Sequence, residues 1–265
     1  MLQRLIPWTR SNTKIFPTVQ LFFTGIVIYL ATQHYSWRWW GLAFLMYFLS
    51  GCLGIVVTFH RFLTHGTFFM PKWLEYTFTI LGAAGGTGSS VGWVALHHDH
   101  HMYSDQPGDP HSPQISGWRV LFPNYEFNLD KWTVRYLIID KFHKNLHDYY
   151  HIWLVLWALA LFAIDIKVGL FAFIVPVAAQ VWSSVITNYV THSWGYRNFE
   201  TKDHSTNNPW VSFFNWGEGW HNNHHRNPGR STYRVKWWEF DISGAVIMII
   251  KMCFTQKRVR VVATN

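Results

Sequence analysis

Four apolar runs are the sequence feature that most limits the fold of this chain. They lie at about residues 16–33, 39–59, 149–166 and 168–189. Each approaches the roughly 20 residues that an α-helix needs to cross a bilayer, where a backbone must satisfy its own hydrogen bonds. Only 14% of the residues are charged and 49% are hydrophobic, which is typical of a membrane protein. We therefore expect an all-α integral membrane protein with four transmembrane helices.

The links between the runs predict the orientation of the chain. The lead-in before the first run carries Arg4, Arg10 and Lys14, and basic segments stay on the cytoplasmic side. The link 33–38 and the Asp165/Lys167 corner are each short enough to close a hairpin. Both termini are therefore expected in the cytoplasm. This rule also explains most of the net charge of +8, and the scattered basic residues carry no nucleic-acid-binding motif.

Residues 73–96 are ambiguous by hydropathy, because they hold Glu75 and a run of small residues from Gly82 to Ser90. If this segment crossed the bilayer, His97 would lie on the opposite side from His60. We therefore interpret it as an interfacial or re-entrant segment. The polar segments 97–148 and 190–256 are then expected to form a cytoplasmic helical cap.

Nine histidines occur in a spacing that indicates metal binding. The motif H-x-x-H-H occurs twice, and residues three and four apart share one face of a helix, so its three imidazoles can point at one place. His60 and His65 would be roughly 140° apart on an unbroken α-helix, so they either straddle a break or serve two ions. The nine are His60, His65, His97, His100, His101, His192, His221, His224 and His225.

Nine imidazoles exceed what one ion accepts, so the count favours two ions. Asn188 lies four residues before His192 and is a candidate for a weaker or water-mediated tenth ligand. An all-nitrogen set of this size suits redox iron better than a closed zinc site. Asp99, Asp105 and Asp109 could orient imidazoles through their second nitrogens, or could be solvated carboxylates. The remaining histidines fit no ligand spacing and are interpreted as surface or hydrogen-bonding residues.

These motifs, interleaved with paired spans, resemble those of the membrane fatty-acyl desaturases, specifically the delta-9 group that includes stearoyl-CoA desaturase and the cyanobacterial delta-9 desaturases. The resemblance covers roughly Phe48 to Asp241. It includes Trp237-Trp238-Glu239-Phe240-Asp241 and Asn188-x-x-x-His192. It implies a single desaturase domain over 1–265, whose cap holds a di-iron centre with the nine histidines as ligands and Asn188 acting through water.

The resemblance also implies the reaction and a substrate tunnel. The reaction would be the O₂-dependent introduction of a cis double bond at the delta-9 position. Trp93 and Ser184 match positions at the kink of the acyl tunnel, and Phe48 and Cys52 match positions near its methyl end. Zinc would be an inactive substitute for iron in overexpressed protein, because it has no accessible redox step.

One departure bears on the headgroup of the substrate. The acyl-CoA enzymes carry an Arg-Asp pair before the second histidine motif, whereas this chain has Ala95 and Leu96 there. The cyanobacterial acyl-lipid enzymes are similar to this chain at that point. A glycerolipid-linked acyl chain is therefore favoured over one carried by CoA or acyl carrier protein.

The reaction needs two electrons from another protein, because the sequence has no haem, flavin or nicotinamide motif and no cysteine set for an iron–sulfur cluster. A ferredoxin or a cytochrome b5 is the expected donor, and such carriers are commonly acidic. Basic residues on the cytoplasmic side offer a complementary surface, or they only contact anionic lipid and set topology. They are Arg4, Arg10, Lys14, Arg226, Arg230, Arg234, Lys236, Lys257, Arg258 and Arg260.

Three other functions remain open from the sequence. A di-iron membrane hydroxylase or acetylenase would use the same histidine motifs. A histidine-rich metal transporter would place ligands inside the spans, which are nearly free of them. A haem-anchoring protein would need only a few axial ligands and would leave most of the histidines unexplained.

Overall fold

The computed structural model describes residues 16–123 and 132–254 of the 265-residue chain. Within those residues the fold is helical. Its extended backbone is limited to two isolated bridges, which join Asn207 to Tyr196 and to Trp220. The all-α prediction is thus confirmed for the described part of the chain.

Twelve helices, a count made on the described residues alone, follow one another along the chain. A 3₁₀ turn at Gly117–Leu121 follows the fifth. They are α1 Phe16–Thr32, α2 Trp37–Thr64, α3 Lys72–Ala84, α4 Ser90–Tyr103, α5 Pro113–Ser116, α6 Arg135–Ile139, α7 Lys141–Asp148, α8 Tyr150–Ile164, α9 Ile166–Thr191, α10 Pro209–Phe214, α11 His221–Arg226 and α12 Ile242–Cys253.

Two helices in the described segments are long and apolar enough to cross a membrane. These are α2, with 28 residues, and α9, with 26. Helices α7 and α8 meet that standard only as a pair, and they are bent by 78° where they join. Helix α1 is apolar but has 17 residues. Length and composition thus support two or three spans, and the four-span count stays a prediction.

Helix α2 runs five residues beyond the predicted apolar run and so carries His60 within it. Its second half, Phe48–Thr64, is π-helical, with backbone hydrogen bonds between residues five apart. The last of these bonds runs from the His65 amide to the His60 carbonyl. Helix α9 contains a shorter π-helical stretch at Leu170–Ile174.

The segment 73–96 forms two helices, α3 and α4, joined by a turn. Helix α3 packs closely against α2, because a Cβ atom on Gly54 would lie 2.2 Å from the Gly82 amide nitrogen. Only glycine at both positions allows that approach. The interfacial placement of this segment stays a prediction.

Helix α4 lies between α2 and α7. Val91 and Val94 pack in a buried cluster with Ile55 and Phe59 of α2. On the α7 side, Ser89 and Ser90 hydrogen-bond to His147 and His143. These contacts fix the direction in which α4 projects its histidines.

Candidate metal centre

Nine imidazoles form two adjacent groups, and within each group the candidate ligand atoms lie within 4.8 Å of one another. Site A consists of His60, His65, His97, His101 and His224. Site B consists of His100, His192, His221 and His225. These are the nine histidines that the sequence motifs singled out.

The Nε2 atoms point inward in both sites. In site A, the Nε2 atom of His101 lies 3.0 Å from that of His97 and 2.9 Å from that of His224. In site B, the Nε2 atom of His221 lies 3.0 Å from those of His192 and His225. His100 Nε2 is 3.3 Å from His225 Nε2. Each site is therefore a small cage of ring nitrogens.

Four carboxylates fix the orientation of the ligand rings. The Nδ1–H of His100 donates to Asp109 at 3.0 Å, that of His192 to Asp105 at 2.8 Å, and that of His225 to Asp203 at 2.6 Å. His60 Nδ1 lies 2.5 Å from a Glu218 oxygen. A neutral imidazole that donates from Nδ1 presents a lone pair at Nε2.

This arrangement fits a bound cation. In site B, His100 and His225 are both oriented by carboxylates, so their Nε2 lone pairs face each other across 3.3 Å. Such lone pairs repel unless a positive charge lies between them. Imidazole nitrogens backed by carboxylates are also the usual arrangement around protein-bound metals.

Each H-x-x-H-H motif contributes two histidines to one site and one histidine to the other site. This division differs from the sequence expectation. The spacing predicted that His97, His100 and His101 would point at one place. In the structure His97 and His101 belong to site A, whereas His100 belongs to site B. His221 and His225 likewise lie in site B, and His224 lies in site A. Residues four apart share a site, and the residue between them turns toward the other.

The winding of α2 decides between the two alternatives that the sequence left open for His60 and His65. An α-helix would separate them by roughly 140°, which predicted a helix break or two different ions. The π-helical winding of α2 instead places residues five apart on one face, and both imidazoles join site A. Their ring centroids are 4.9 Å apart.

Burial favours the neutral form of seven of the nine imidazoles. Removal from water lowers the pKa of the His97, His101, His221 and His224 imidazoles well below the ordinary value, and neighbouring imidazoles lower it further. Burial also lowers the pKa of His100 to about 4, although Asp109 acts in the opposite direction. Neutral imidazole is the form that binds metal ions.

The orienting carboxylates remain charged. Burial raises the pKa of Asp105, but its hydrogen bonds with His192, Ser112 and the His204 amide, together with the nearby His192 ring, outweigh this and bring the pKa to about 2. In Asp109 and Asp203, burial is likewise outweighed by the bonds from His100 and His225 acting together with further hydrogen bonds and the nearby imidazoles, and the pKa lies well below the usual range. The sites are thus surrounded by negative charge that can balance bound cations.

The sequence analysis found two of these four carboxylates. Asp105 and Asp109 orient imidazoles as predicted, and the role of Asp99 stays a prediction. Asp203 and Glu218 were missed. Glu218 is three residues before His221 yet contacts His60, which is far away along the chain. Periodicity carries no signal for such a contact, although an acidic residue next to a histidine motif could have drawn attention.

A buried ion network extends from Glu218. The Arg61 guanidinium donates to Glu218 at 3.0 Å and to Asp241 at 2.7 Å, and it lies 3.9 Å above the Tyr233 ring. Arg61 is fully buried. Since a buried charge is costly without partners, this network fixes the position of Glu218 and hence of the His60 ring.

The structure brings only some of the other predicted site residues to the metal cage. The Trp93 ring stacks on His97, with centroids 4.9 Å apart. Ser184, on α9, accepts a hydrogen bond from Gln180. Phe48 packs against Trp216, and the buried thiol of Cys52 lies 3.5 Å from the Ser243 hydroxyl. The tunnel roles of these four residues stay predictions.

Asn188 lies on α9 one turn before His192 and is half-buried. Its role as a water-mediated ligand stays a prediction.

The remaining histidines show the expected mixture of environments. His143 bonds to Ser90 and Glu75, and His147 bonds to Ser89. His111 is buried, and its ring stacks on His100 with centroids 4.3 Å apart. His34, His151 and His204 are exposed. His98 makes contacts of its own.

Comparison with known proteins gives a consistent family. Residues 37–239 match the family model described as fatty acid desaturase. The chain is 33% identical to the sn-1 stearoyl-lipid 9-desaturase of Synechocystis sp. over 266 aligned positions. The alignment covers 94% of this chain and 82% of that protein.

Two further relatives differ in their named substrates. The palmitoyl-monogalactosyldiacylglycerol delta-7 desaturase of Arabidopsis thaliana is 36% identical over 84% of this chain and 62% of its own length. The acyl-CoA C20 delta-5 desaturase of Anemone leveillei is 33% identical over 93% of this chain and 82% of its own length. The histidine cage, the helical fold and these matches together show that the chain belongs to the fatty acid desaturase family.

Proposed function

We propose that the chain is an O₂-dependent di-iron desaturase that introduces a cis delta-9 double bond into a saturated acyl chain of a membrane glycerolipid. The observation that carries this proposal is the pair of adjacent all-imidazole sites backed by four carboxylates. Nine imidazole ligands suit two redox iron ions better than closed zinc sites, which usually take four ligands each. Membership of the family favours a desaturase over a metal transporter.

Each part of the centre has a separate task. Two iron ions, with O₂ and two electrons, would supply the redox chemistry that removes hydrogen from methylenes, whose C–H bonds offer no acid to a base. The nine imidazoles would hold the ions, and Asn188 would contribute through water. The four carboxylates orient the rings, and the buried surroundings exclude water. Trp93, whose ring stacks on His97, would flank the acyl chain beside site A.

Two observations support the proposed headgroup and double-bond position: the named substrates of the relatives, and the residues before the second histidine motif. The cyanobacterial relative is named for a lipid-linked substrate and the 9-position, whereas other relatives are named for delta-7 or delta-5 products or for acyl-CoA. Ala95 and Leu96 replace the Arg-Asp pair that the resemblance associates with CoA, and this favours the glycerolipid. A hydroxylase or acetylenase is the second candidate, since it would use the same ligands.

We also propose a topology of four spans, with α1, α2, α8 and α9 crossing the membrane. Both termini and the metal centre would then lie on the cytoplasmic side. The C-terminal ends of α2 and α9 carry histidines of adjacent sites. This is expected if α1 with α2 and α8 with α9 form two membrane hairpins that both return to the same side. Arg4, Arg10, Lys14, Lys257, Arg258 and Arg260, which contribute to the charge argument, lie outside the described residues.

Expression in a host rich in saturated acyl chains tests the function directly. We expect cis-9 monounsaturated acyl groups to accumulate in a glycerolipid class before they appear in acyl-CoA, because the protein would act on a lipid-linked substrate. Gas chromatography and mass spectrometry of separated lipid classes, after short induction, would measure this order. Hydroxylated or acetylenic products would contradict the reaction, and first appearance in acyl-CoA would contradict the headgroup.

Chain-length preference gives a second prediction. If Cys52 lies near the methyl end of the tunnel, Cys52→Phe is expected to shift products toward shorter chains. One methylene in an apolar pocket is worth only about 1–3 kcal/mol, so the product ratio changes without an absolute switch. The control is Cys253→Phe at an exposed position. An unchanged ratio in an active, folded Cys52→Phe protein would remove this residue from the tunnel.

Electron transfer gives a third prediction. Arg226, Arg230 and Arg234 are exposed and follow directly after the last histidine motif, so they could receive an acidic ferredoxin or cytochrome b5. Their joint change to Gln is expected to raise the apparent KM for the donor more than that for lipid, and added salt is expected to weaken the reaction with the unchanged protein. Steady-state kinetics in neutral-lipid nanodiscs would measure both effects. Insensitivity to both salt and substitution would show that these arginines only contact lipid or set topology.

A further inference from the structure

A groove opens between α3, α7 and α8, apart from the nine imidazoles. Its volume is about 710 Å³, which lies within the size range of small-molecule sites. Its walls are apolar except at one end, where Lys141 and Asn145 of α7 reach its edge. The apolar lining includes Ile80, Ala84, Leu146, Trp153, Leu156 and Trp157.

The helices hold this groove open. Helices α7 and α8 meet at an angle of 78°, and along α8 only Tyr150 and Leu161 are buried. The Tyr150 hydroxyl accepts from the Gly88 amide at 3.1 Å and donates to the Ala83 carbonyl at 3.3 Å. This fixes the bend between α7 and α8 against the turn before α4, and the groove lies between α3 and the part of α8 that follows Tyr150.

The length of the groove along α8 is close to the thickness of one leaflet of the hydrocarbon core. Its walls follow α8 from Tyr150 to Ala160, a rise of about 15 Å at 1.5 Å per residue. The hydrocarbon core of a bilayer is about 30 Å thick, so this distance is about half of it. An acyl chain from a single leaflet therefore has the length to lie along α8.

The polar end of the groove carries a positive charge. Lys72 pairs with Asp140 and Lys144 pairs with Asp148, whereas Lys141 makes no ion pair among residues 16–123 and 132–254. Lys141 and Asn145 lie one helical turn apart and are both exposed. Basic pockets between membrane helices bind anionic lipid headgroups.

We propose that this groove binds one anionic glycerophospholipid, with its phosphate at Lys141 and Asn145 and an acyl chain along α8. The lipid is a bound companion of the protein and not the acyl group that reacts. It braces α7, whose His143 and His147 hydrogen-bond to Ser90 and Ser89 at the start of α4. Helix α4 carries three of the nine imidazoles, so the lipid supports the scaffold of the metal centre.

Native mass spectrometry of the purified full-length protein tests the proposal. The protein is incubated with dioleoyl phosphatidylglycerol or with dioleoyl phosphatidylcholine, and the retained lipid is counted. We expect one phosphatidylglycerol per chain, with about fivefold less phosphatidylcholine. Lys141→Gln is expected to lower phosphatidylglycerol retention about fivefold, the factor that corresponds to about 1 kcal/mol per basic residue at an anionic surface. Lys167→Gln, an equal loss of charge at the other end of α8, is the control.

A second pair of variants tests the apolar part of the groove. Ala160→Trp fills its deep end and is expected to abolish retention of the lipid, whereas Val155→Trp, at an exposed α8 position outside the groove, is expected to leave it unchanged. If Ala160→Trp does not fold, Ala84→Leu fills the opposite wall. Equal retention of the two lipids, or equal behaviour of the two members of either pair, would overturn the proposal.

Discussion

Replacing His101 by alanine is expected to abolish the desaturated product. The Nε2 atom of His101 contacts those of both His97 and His224, so this ring lies in the middle of site A. Loss of a partner that only orients a ligand already costs 10–100-fold in metal affinity or activity, and loss of the ligand itself should exceed about 100-fold. Product per mole of folded protein, with the iron content of the same preparation, measures the effect.

His151→Ala is the matched control, because His151 is exposed and belongs to neither site. It is expected to keep full activity and about two irons per chain. The His101→Ala protein should remain in the membrane with reduced iron. If His101→Ala kept both its turnover and its iron, the assignment of site A would be wrong.

Glu218→Gln is expected to lower activity by about 10–100-fold with most of the protein still folded. The amide keeps the shape of the carboxylate but removes the charge that faces His60 and Arg61. Arg61 would then keep Asp241 as a charged partner, and a buried cation with fewer counter-charges is destabilising. A lower melting temperature is therefore expected together with faster loss of iron to a chelator.

Asp109→Asn separates the effect on iron binding from the effect on the melting temperature. Asp109 orients His100 through two contacts of 3.0 Å and has no arginine among its contacts in the described chain. We expect a comparable increase in iron loss but a smaller change in melting temperature than for Glu218→Gln. If both variants bound iron as tightly as the unchanged protein, the carboxylates would not be acting through the ligands.

Much of the fold follows from local sequence patterns. The apolar runs predicted helices where α1, α2, α8 and α9 lie, because a backbone in a bilayer has to be helical. The spacing of four within each H-x-x-H-H motif also predicted correctly that His97 and His101 lie together. The first inference depends on the length and hydropathy of each run, and the second depends on helical periodicity.

The parts that sequence reasoning missed depend on departures from that periodicity or on distant contacts. Nothing in residues 48–64 shows that the backbone bonds would join residues five apart, and this winding decides that His60 and His65 share a site. His100 belongs to site B, and not to the site of His97 and His101, because of the helices that pack around it. Glu218 and Asp203 reach rings of distant motifs through tertiary packing.

The exchange of one histidine between the two H-x-x-H-H motifs has a consequence for how the centre assembles. Helices α4 and α11 each contribute imidazoles to both sites, so neither site can be completed unless both helices are in place. An ion bound in site B through His100 and His221 restrains the helices that carry the site A ligands His97 and His224. We therefore expect the two sites to load cooperatively, with a higher affinity for the second ion once the first is bound.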